Sequence, residues 1–346
     1  MRSLVLTLGL VLALAGVGCG GDVETRGSPG SSEEDELAVS TVEWDTDFSL
    51  HSVPLSEFQS GGPGKDGIPS IDVPRFVSVG EAEEWLSERE PVIELVHEGA
   101  ARAYPIQILV WHEIVNDEVG GIPVVVTFCP LCNTALVFDR RVGGRVLDFG
   151  TTGNLRNSDL VMYDRQTESW WQQFGGEAVV GELTGTELEH LPARIVAWED
   201  FARRHPEGEV LSQETGVVRD YGRNPYEGYD DVDSGPLFPV SREDDRLAPK
   251  ERVVFMERDG DAVVVPFSLL AERGRVEVEV GGDDLVVEWV PGVGSPLDEP
   301  FVAAGREVGS AAVTDAATGE PVAFDQPFWF AVAAFRPDAR IVDGSG

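Results

Sequence analysis

Residues 92–128, VIELVHEGAARAYPIQILVWHEIVNDEVGGIPVVVTF, recur as residues 253–289, VVFMERDGDAVVVPFSLLAERGRVEVEVGGDDLVVEW. The two segments align without a gap at a constant offset of 161. The shared positions are Gly99 over Gly260, Pro105 over Pro266, Gly120-Gly121 over Gly281-Gly282, and the apolar residues between them. Chance seldom matches glycines, a proline and their apolar neighbours over such a length. The sequence therefore predicts a tandem duplication whose second copy is shorter.

The shared positions also predict local structure. Gly99 and Gly260 each separate two apolar runs and are suited to hairpin turns. A short helix is predicted at residues 198–205, which end before Pro206. Each unit is then a hairpin, a turn of helix, a strand, a hairpin, a helix and a strand. We therefore predict an α+β fold, built from a tandem-duplicated mixed α/β unit that is rich in hairpins.

The N-terminus predicts export. Residues 4–18 are apolar or small apart from Thr7, as in a signal peptide. Cys19 follows the small Gly18 and resembles a lipoprotein cysteine that is lipidated and becomes the mature N-terminus. Ordinary cleaved secretion is the alternative. The predicted segments are a signal peptide at 1–18, a flexible acidic tether at 19–45, a first repeat unit at 60–215, a linker at 216–250 and a second repeat unit at 251–343.

The charge balance limits the partners. The chain has 62 acidic and 26 basic residues, a net charge of -36. Nucleic acid and anionic lipid surfaces are negatively charged themselves and attract positively charged proteins. We therefore expect no nucleic-acid partner, and membrane contact only through the N-terminal lipid. The partner that we expect is an unidentified redox or envelope protein.

Besides Cys19, the chain has one pair of cysteines, in Cys129-Pro130-Leu131-Cys132 at the end of the apolar run 124–128. Such a pair is a redox couple, part of a metal site or a structural disulfide. In the second copy the two positions are Val290 and Val293, so that copy folds without thiols. A disulfide across so short a loop would contribute only roughly 2 kcal/mol. Both points argue against a purely structural role.

In the redox interpretation Cys129 attacks and Cys132 resolves. We expect backbone amides at the strand exit to lower the pKa of Cys129. The thioredoxin fold is not expected, because its second cysteine lies in a long helix. Residues 133–149 instead predict a hairpin with a turn at Gly143-Gly144.

Trp111 and His112 precede the pair by fewer than twenty residues. His112 is a candidate base for Cys129, or a third metal ligand beside Cys129 and Cys132. Copper or zinc would be the metal, and an exported thiolate site suits Cu(I) best. A histidine that only caps a short helix is the alternative.

The run of small polar residues at 149–159 contains two further candidates, Arg156 and Asp159. Together with Trp111 they are predicted to line a substrate pocket, with a solvated loop as the alternative. The Gly-, Tyr- and Asp-rich segment 220–231 either covers this site as a lid or only connects the two units.

These segments together resemble the family catalogued as domain of unknown function 3179. The resemblance rests on Tyr104-Pro105, on residues 111–117, on residues 127–132, on residues 149–164 and on residues 220–226. It covers roughly residues 60–342. It implies an exported or envelope-associated protein, and some members carry selenocysteine in the Cys-Pro-x-Cys region. Because selenium adds nucleophilicity, the resemblance implies redox chemistry at Cys129 or Cys132.

Three functions remain open on the sequence. The first is an extracytoplasmic thiol–disulfide oxidoreductase or peroxide-reducing protein that uses Cys129 and Cys132 and needs no bound cofactor. The second is a copper- or zinc-binding protein that uses the same pair and His112. The third is a non-catalytic envelope binding module in which the disulfide only fixes a loop.

Overall fold

The structure is a computed structural model that describes residues 37–343. It is mostly β-sheet, with 38% of residues in strands and 12% in helices. The predicted α+β class is therefore confirmed, with helices confined to short connections between strands. In the described part of the chain, no helix has the length and apolar character needed to cross a membrane.

The first half of the described chain contains fifteen strands and three helices. The strands are β1 Phe58–Ser60, β2 Phe76–Ser78, β3 Pro91–His97, β4 Ala100–Pro105, β5 Ile114–Val119, β6 Ile122–Cys129, β7 Thr134–Asp139, β8 Arg141–Val142, β9 Arg145–Val146, β10 Phe149–Arg156, β11 Asp159–Asp164, β12 Trp170–Gln172, β13 Ala178–Val180, β14 Ala193–Ala197 and β15 Glu209–Leu211. The helices are α1 Val79–Ala82, α2 Ile106–His112 and α3 Trp198–Arg204. A 3-10 turn covers Leu55–Glu57.

The second half contains six strands and two helices. The strands are β16 Val253–Arg258, β17 Asp261–Pro266, β18 Arg275–Val280, β19 Asp283–Val290, β20 Ser310–Asp315 and β21 Arg340–Ile341. The helices are α4 Phe267–Arg273 and α5 Trp329–Phe335, and a 3-10 turn covers Val302–Ala304.

The strands form small sheets. Two of them have five strands, in the orders β1-β10-β11-β12-β13 and β14-β3-β4-β15-β2. Three have three strands, in the orders β5-β6-β7, β16-β17-β21 and β18-β19-β20, and β8-β9 is a separate hairpin. The β6–β7 hairpin contains the cysteine pair in its turn, and β11 begins at Asp159.

The two halves use the same elements at the repeated positions. β4, α2, β5 and β6 have the same bounds as β17, α4, β18 and β19 when 161 is added to each number. In each half a late strand then adds in parallel, with Glu209 beside Arg102 and Arg340 beside Val263. Common descent by duplication stays a prediction, since shared geometry does not by itself record descent.

The equivalent helices α2 and α4 end differently. α4 is followed by Gly274, which has φ 74°, a conformation that glycine adopts without steric cost. α2 is followed by Glu113 at the same position of the repeat, with φ 60°. A glutamate in this left-handed region is strained by its Cβ. The first half therefore has a strained glutamate at the position where the second half has an unstrained glycine.

The core is shared between the halves. The apolar cluster that contains Cys129 and Cys132 also contains Val253, Phe328 and Trp329 from the second half. The amide of Phe328 donates to the carbonyl of Cys132 at 2.8 Å. The cysteine turn therefore lies where the two halves meet.

The predicted segment boundaries are not tested by these contacts and stay predictions. The signal peptide and Cys19 lie outside the described residues. Of the predicted tether, residues 37–45 are described, and Trp44 in it packs edge-on against Tyr163 and Trp170, with ring centroids 5.0 and 5.1 Å away.

Candidate functional site

The site is built on the turn between β6 and β7. Cys129 ends β6 and pairs with Thr134 of β7. Asn133 has φ 60°, a conformation that asparagine tolerates better than most residues, and it closes the turn. Both thiols are free and buried, and the two cysteines come within 3.1 Å of each other. The tight turn thus brings the two sulfurs into contact inside the protein.

Asp159 lies directly against this pair. Its Oδ1 accepts a hydrogen bond from Cys132 Sγ at 2.8 Å. Its Oδ2 accepts from the amide of Phe174 at 2.9 Å and from the side chain of Gln172. The ligand atoms of Cys129, Cys132 and Asp159 all lie within 4.8 Å of one another. The two donors on Oδ2 therefore fix the carboxylate with its other oxygen against the thiol.

Further polar groups surround Cys132. Thr134 Oγ1 lies 3.0 Å from Cys132 Sγ and donates to Gln173 Oε1. Gln173 Nε2 in turn donates to Thr127 Oγ1 at 2.9 Å. The Cys132 proton therefore has two oxygen acceptors, Asp159 and Thr134, within reach.

Burial controls the electrostatics of the pair. Burial raises the pKa of Cys129, the negative charges of Asp159 and Glu113 add to it, and hydrogen bonds from Cys132 work against it. Burial also raises the pKa of Cys132, well above its usual range, with Cys129 and Asp159 adding to it. The expected backbone hydrogen bond is present, from Cys132, and it lowers the pKa of Cys129. Burial of the thiolate has the larger effect, so the pKa is raised rather than lowered.

Glu113 is a site residue that the sequence reasoning missed. Burial and the charge of Asp159 raise its pKa to about 8. Its charge in turn raises the pKa of Cys129 and of Tyr226. The repeat contains a sign of this, because Glu113 aligns with Gly274 and so replaces a glycine at a position with positive φ.

Asp325 is a second residue that was missed, and it comes from the other half of the chain. Burial raises the pKa of this carboxyl to about 7, and the charge of Asp159 adds to the rise. Its Oδ1 accepts a hydrogen bond from the amide of Ala135 in β7. Nothing in the sequence marks it, because only the folded chain brings it to β7.

His112 and Trp111 face the linker. The ring nitrogens of His112 bond to the carbonyl of Pro69 at 2.7 Å and to the hydroxyl of Tyr221 at 2.6 Å. Trp111 Nε1 donates to the carbonyl of Arg223 at 3.2 Å. His112 is not in the group of ligand atoms around the dithiol, and burial lowers its pKa. Its roles as base and metal ligand stay predictions, as does substrate binding by Trp111.

Arg156 ends β10, the strand before Asp159. Its Nε pairs with Glu57 Oε2 at 2.6 Å, and its Nη1 donates to Gln172 Oε1 at 3.3 Å. Since Gln172 also bonds Asp159, Arg156 connects to the dithiol through two intervening side chains, Gln172 and Asp159. Substrate binding by Arg156 stays a prediction.

The linker covers the cysteine turn. The hydroxyl of Tyr229 donates to the carbonyl of Leu131 at 2.8 Å, and Tyr226 packs with it against the cluster that contains the cysteines. On its other side the linker bonds the second half, where the amide of Asn224 donates to the carbonyl of Pro300 at 3.0 Å. The segment is therefore a bonded cover over the sulfurs as well as a connection.

The arrangement combines a buried dithiol, an oriented carboxylate and two further buried carboxyls. Such a set can transfer protons to and from sulfur, or can exchange its protons for a metal cation. No curated protein and no solved structure matches the chain. One family model does match, over residues 65–339, which is most of the chain. With the Cys-Pro-Leu-Cys turn and Asp159 both inside the matched range, the chain belongs to the family of proteins of unknown function called DUF3179.

Proposed function

We propose that Cys129 and Cys132 are a redox couple that cycles between a dithiol and a disulfide in an exported protein. The observation that supports this most is the 2.8 Å hydrogen bond from Cys132 Sγ to Asp159 Oδ1, made while Cys132 touches Cys129. A carboxylate whose pKa is raised by burial accepts a proton more readily than an exposed one. The pair therefore has its own proton acceptor.

The geometry suggests a role for each residue. The Cys129 sulfur attacks the oxidised substrate, a disulfide or a peroxide, and the group that leaves takes the Cys129 proton. Cys132 then gives its proton to Asp159, and its sulfur attacks Cys129, which closes the disulfide and expels the reduced leaving group. The order fits the hydrogen bonds, because the Cys129 sulfur receives a bond from the backbone of Cys132 whereas the Cys132 thiol donates to the carboxylate.

Equilibration in redox buffers of the small reagents 2-mercaptoethanol and 2-hydroxyethyl disulfide, continued until the state of the pair no longer changes, tests the couple. We expect one reversible two-electron transition with a midpoint above about -300 mV, the range of exchanging rather than structural disulfides. A pair that stays in one state across this range would contradict the proposal.

A variant tests the role of Asp159. In Asp159→Asn the closing step should slow by about 10²–10⁴-fold, because the proton acceptor is lost. The matched control is Asp259→Asn, an exposed aspartate in the turn before β17, which should leave the rate unchanged. Equal closing rates in the two variants would remove Asp159 from the mechanism.

A cation site is the second candidate, and the close grouping of three ligand atoms supports it. Two thiolates suit Cu(I), and two thiolates with a carboxylate suit zinc with an open fourth position. Here Asp159 takes the place that the sequence assigned to His112. Metal analysis of protein purified under reducing conditions should then find one ion per chain, lost in Asp159→Ala. Protein that is metal-free and takes up neither ion would exclude this candidate.

We further propose that the two halves descend from a duplication, and that they form a fold distinct from thioredoxin. The matching element bounds at an offset of 161 and the equivalent parallel additions of β15 and β21 support the first statement. The position of Cys132 in a turn between strands supports the second. Export and anchoring through Cys19 are proposed on the sequence alone.

A further inference from the structure

The sulfurs are closed off from large molecules. Cys129 is 1% exposed and Cys132 0% exposed. Tyr229 bonds the turn between them and is itself held by the second half, where its amide donates to the carbonyl of Leu297 at 3.0 Å. Exchange with a protein disulfide requires that the attacking sulfur reach the partner's sulfur. A substrate of this dithiol must instead be small enough to enter beneath the cover.

Two buried polar atoms just before Asp159 in the chain lack a hydrogen-bond partner in the described residues, Asn157 Nδ2 and Ser158 Oγ. Asn157 Oδ1 accepts from the amide of Ser241 at 2.7 Å, so only the donor end of this side chain is unpaired. The Ser158 hydroxyl lies near the hydroxyl of Tyr229, whose pKa it lowers. Buried polar groups in proteins are nearly always hydrogen-bonded, either to protein or to an ordered molecule. These two atoms can donate to an oxygen of a small guest molecule.

The turn that holds them is strained. Asn157 and Ser158 have φ 53° and 57°, and they form the two-residue turn between β10 and β11. Glycine is the usual second residue of such a turn, because it adopts this conformation without cost. Ser158 therefore keeps a buried hydroxyl in a position that favours glycine. Strain of this kind is concentrated at functional sites.

The turn leads directly into the dithiol. Asp159 follows Ser158 in the chain and accepts the hydrogen bond from Cys132. Tyr229, which covers the cysteine turn, lies close enough to both thiols that their charge contributes to raising its pKa. The two unpartnered donors thus lie within two residues of the carboxylate that bonds Cys132, and Ser158 and the cysteine turn share Tyr229 as a neighbour.

We propose that the oxidant of this dithiol is a small hydroperoxide, hydrogen peroxide being the smallest, and that Asn157 and Ser158 bind its oxygen atoms. The inference rests on the proposed redox function and names the substrate class of that site. A peroxide is the smallest oxidant that could reach sulfurs buried this deeply, and its oxygens accept the two available hydrogen bonds. A larger disulfide meets neither condition.

The chemistry balances with the residues present. The Cys129 sulfur attacks one peroxide oxygen, the O–O bond breaks, and the leaving hydroxide takes the Cys129 proton to become water. Cys129 is then a sulfenic acid. Cys132 gives its proton to Asp159 and attacks the Cys129 sulfur, the S–O bond breaks, and the hydroxide takes the proton from Asp159. Two thiols and one hydrogen peroxide yield one disulfide and two waters.

The test measures thiol loss over time in the reduced protein by acid quench and alkylation. The oxidants are hydrogen peroxide, the bulky cumene hydroperoxide and the small neutral 2-hydroxyethyl disulfide. We expect hydrogen peroxide to react at least about 100-fold faster than the other two, because both its size and its oxygens fit. Ser158→Gly keeps the turn and removes the hydroxyl, so its peroxide rate should fall by about tenfold or more.

Two comparisons keep the result interpretable. Glu98→Gly relieves the same kind of strain at an exposed turn outside the site, where Glu98 has φ 48°, and it should leave every rate unchanged. Asn157→Gly is the second variant at the site and should resemble Ser158→Gly. The rate with 2-hydroxyethyl disulfide should change by less than about threefold in either site variant, which shows that the dithiol itself is intact.

Each outcome has one meaning. Faster or equal reaction with 2-hydroxyethyl disulfide or cumene hydroperoxide overturns the hydroperoxide inference and leaves the redox couple standing. An unchanged peroxide rate in both site variants overturns the role of Asn157 and Ser158. A dithiol that none of the three reagents oxidises refutes the redox function itself.

Discussion

Replacing Glu113 by glutamine should change how the stability of the protein depends on pH. The folded protein raises the pKa of Glu113 from 4.5 to about 8, so it binds a proton that the unfolded chain releases above pH 4.5. The stability contributed by protonated Glu113 is fully present below pH 4.5. It is lost as the pH rises from 4.5 to about 8, because unfolding then releases this proton.

The size of the effect follows from the two pKa values. Each pH unit in this window lowers the unfolding free energy of the parent by about 1.4 kcal/mol. The loss is therefore about 1 kcal/mol at pH 5 and about 3 kcal/mol at pH 7. Glutamine has nearly the same shape and does not titrate. The parent therefore loses about 2 to 3 kcal/mol of unfolding free energy between pH 5 and pH 7 that Glu113→Gln does not lose.

Urea unfolding at pH 5, 6, 7 and 8 measures this difference for the parent, for Glu113→Gln and for Glu118→Gln. Glu118 lies on β5 and is exposed, so its replacement should change the unfolding free energy by less than about 0.5 kcal/mol at every pH. A Glu113→Gln effect that is the same at all four pH values would refute the reasoning. It would mean that the carboxyl is solvated rather than buried beside Asp159.

Gly153→Ala should destabilise the protein by about 2–4 kcal/mol, because Gly153 has φ 74° and an added Cβ would collide with the Pro63 carbonyl. Gly99→Ala has a similar φ but open space around its Cβ and should cost about 1 kcal/mol in thermal unfolding; equal losses would contradict the steric explanation. Tyr229→Phe removes the hydroxyl that bonds the Leu131 carbonyl. Iodoacetamide should then alkylate the reduced cysteines about tenfold faster, and an unchanged rate would show that this bond does not hold the cover closed.

Much of the backbone could be predicted, because glycine and proline restrict it locally. Hairpin turns were expected at Gly99 and Gly260, and both are present, between β3 and β4 and between β16 and β17. The helix predicted at 198–205 is observed at Trp198–Arg204. These features depend on steric limits within a few residues, which a sequence displays directly.

The candidate site could be predicted only in part. Asp159 was a candidate on the polar character of its segment, and it does lie against Cys132. His112 was preferred over Glu113, although the charge of Glu113 raises the pKa of Cys129 and the His112 ring bonds Tyr221. Glu113 has a left-handed backbone conformation at the end of α2, with φ 60°. Sequence spacing reveals neither this conformation nor the directions in which neighbouring side chains point. Asp325 required knowledge of how the halves pack.

The hydrogen bond from Phe328 to Cys132 makes the second half a potential reporter on the first. When the dithiol closes into a disulfide, the two sulfurs must come to about 2.05 Å from each other, and we expect the turn and the Cys132 carbonyl to shift with them. The Phe328 amide, bonded to that carbonyl at 2.8 Å, begins the short run into α5. Its hydrogen-exchange rate therefore offers a spectroscopic readout of the oxidation state, taken from a segment that contains no sulfur. Hydrogen exchange in the second half, which contains no cysteine, would thus report whether the cysteines of the first half are reduced or oxidised.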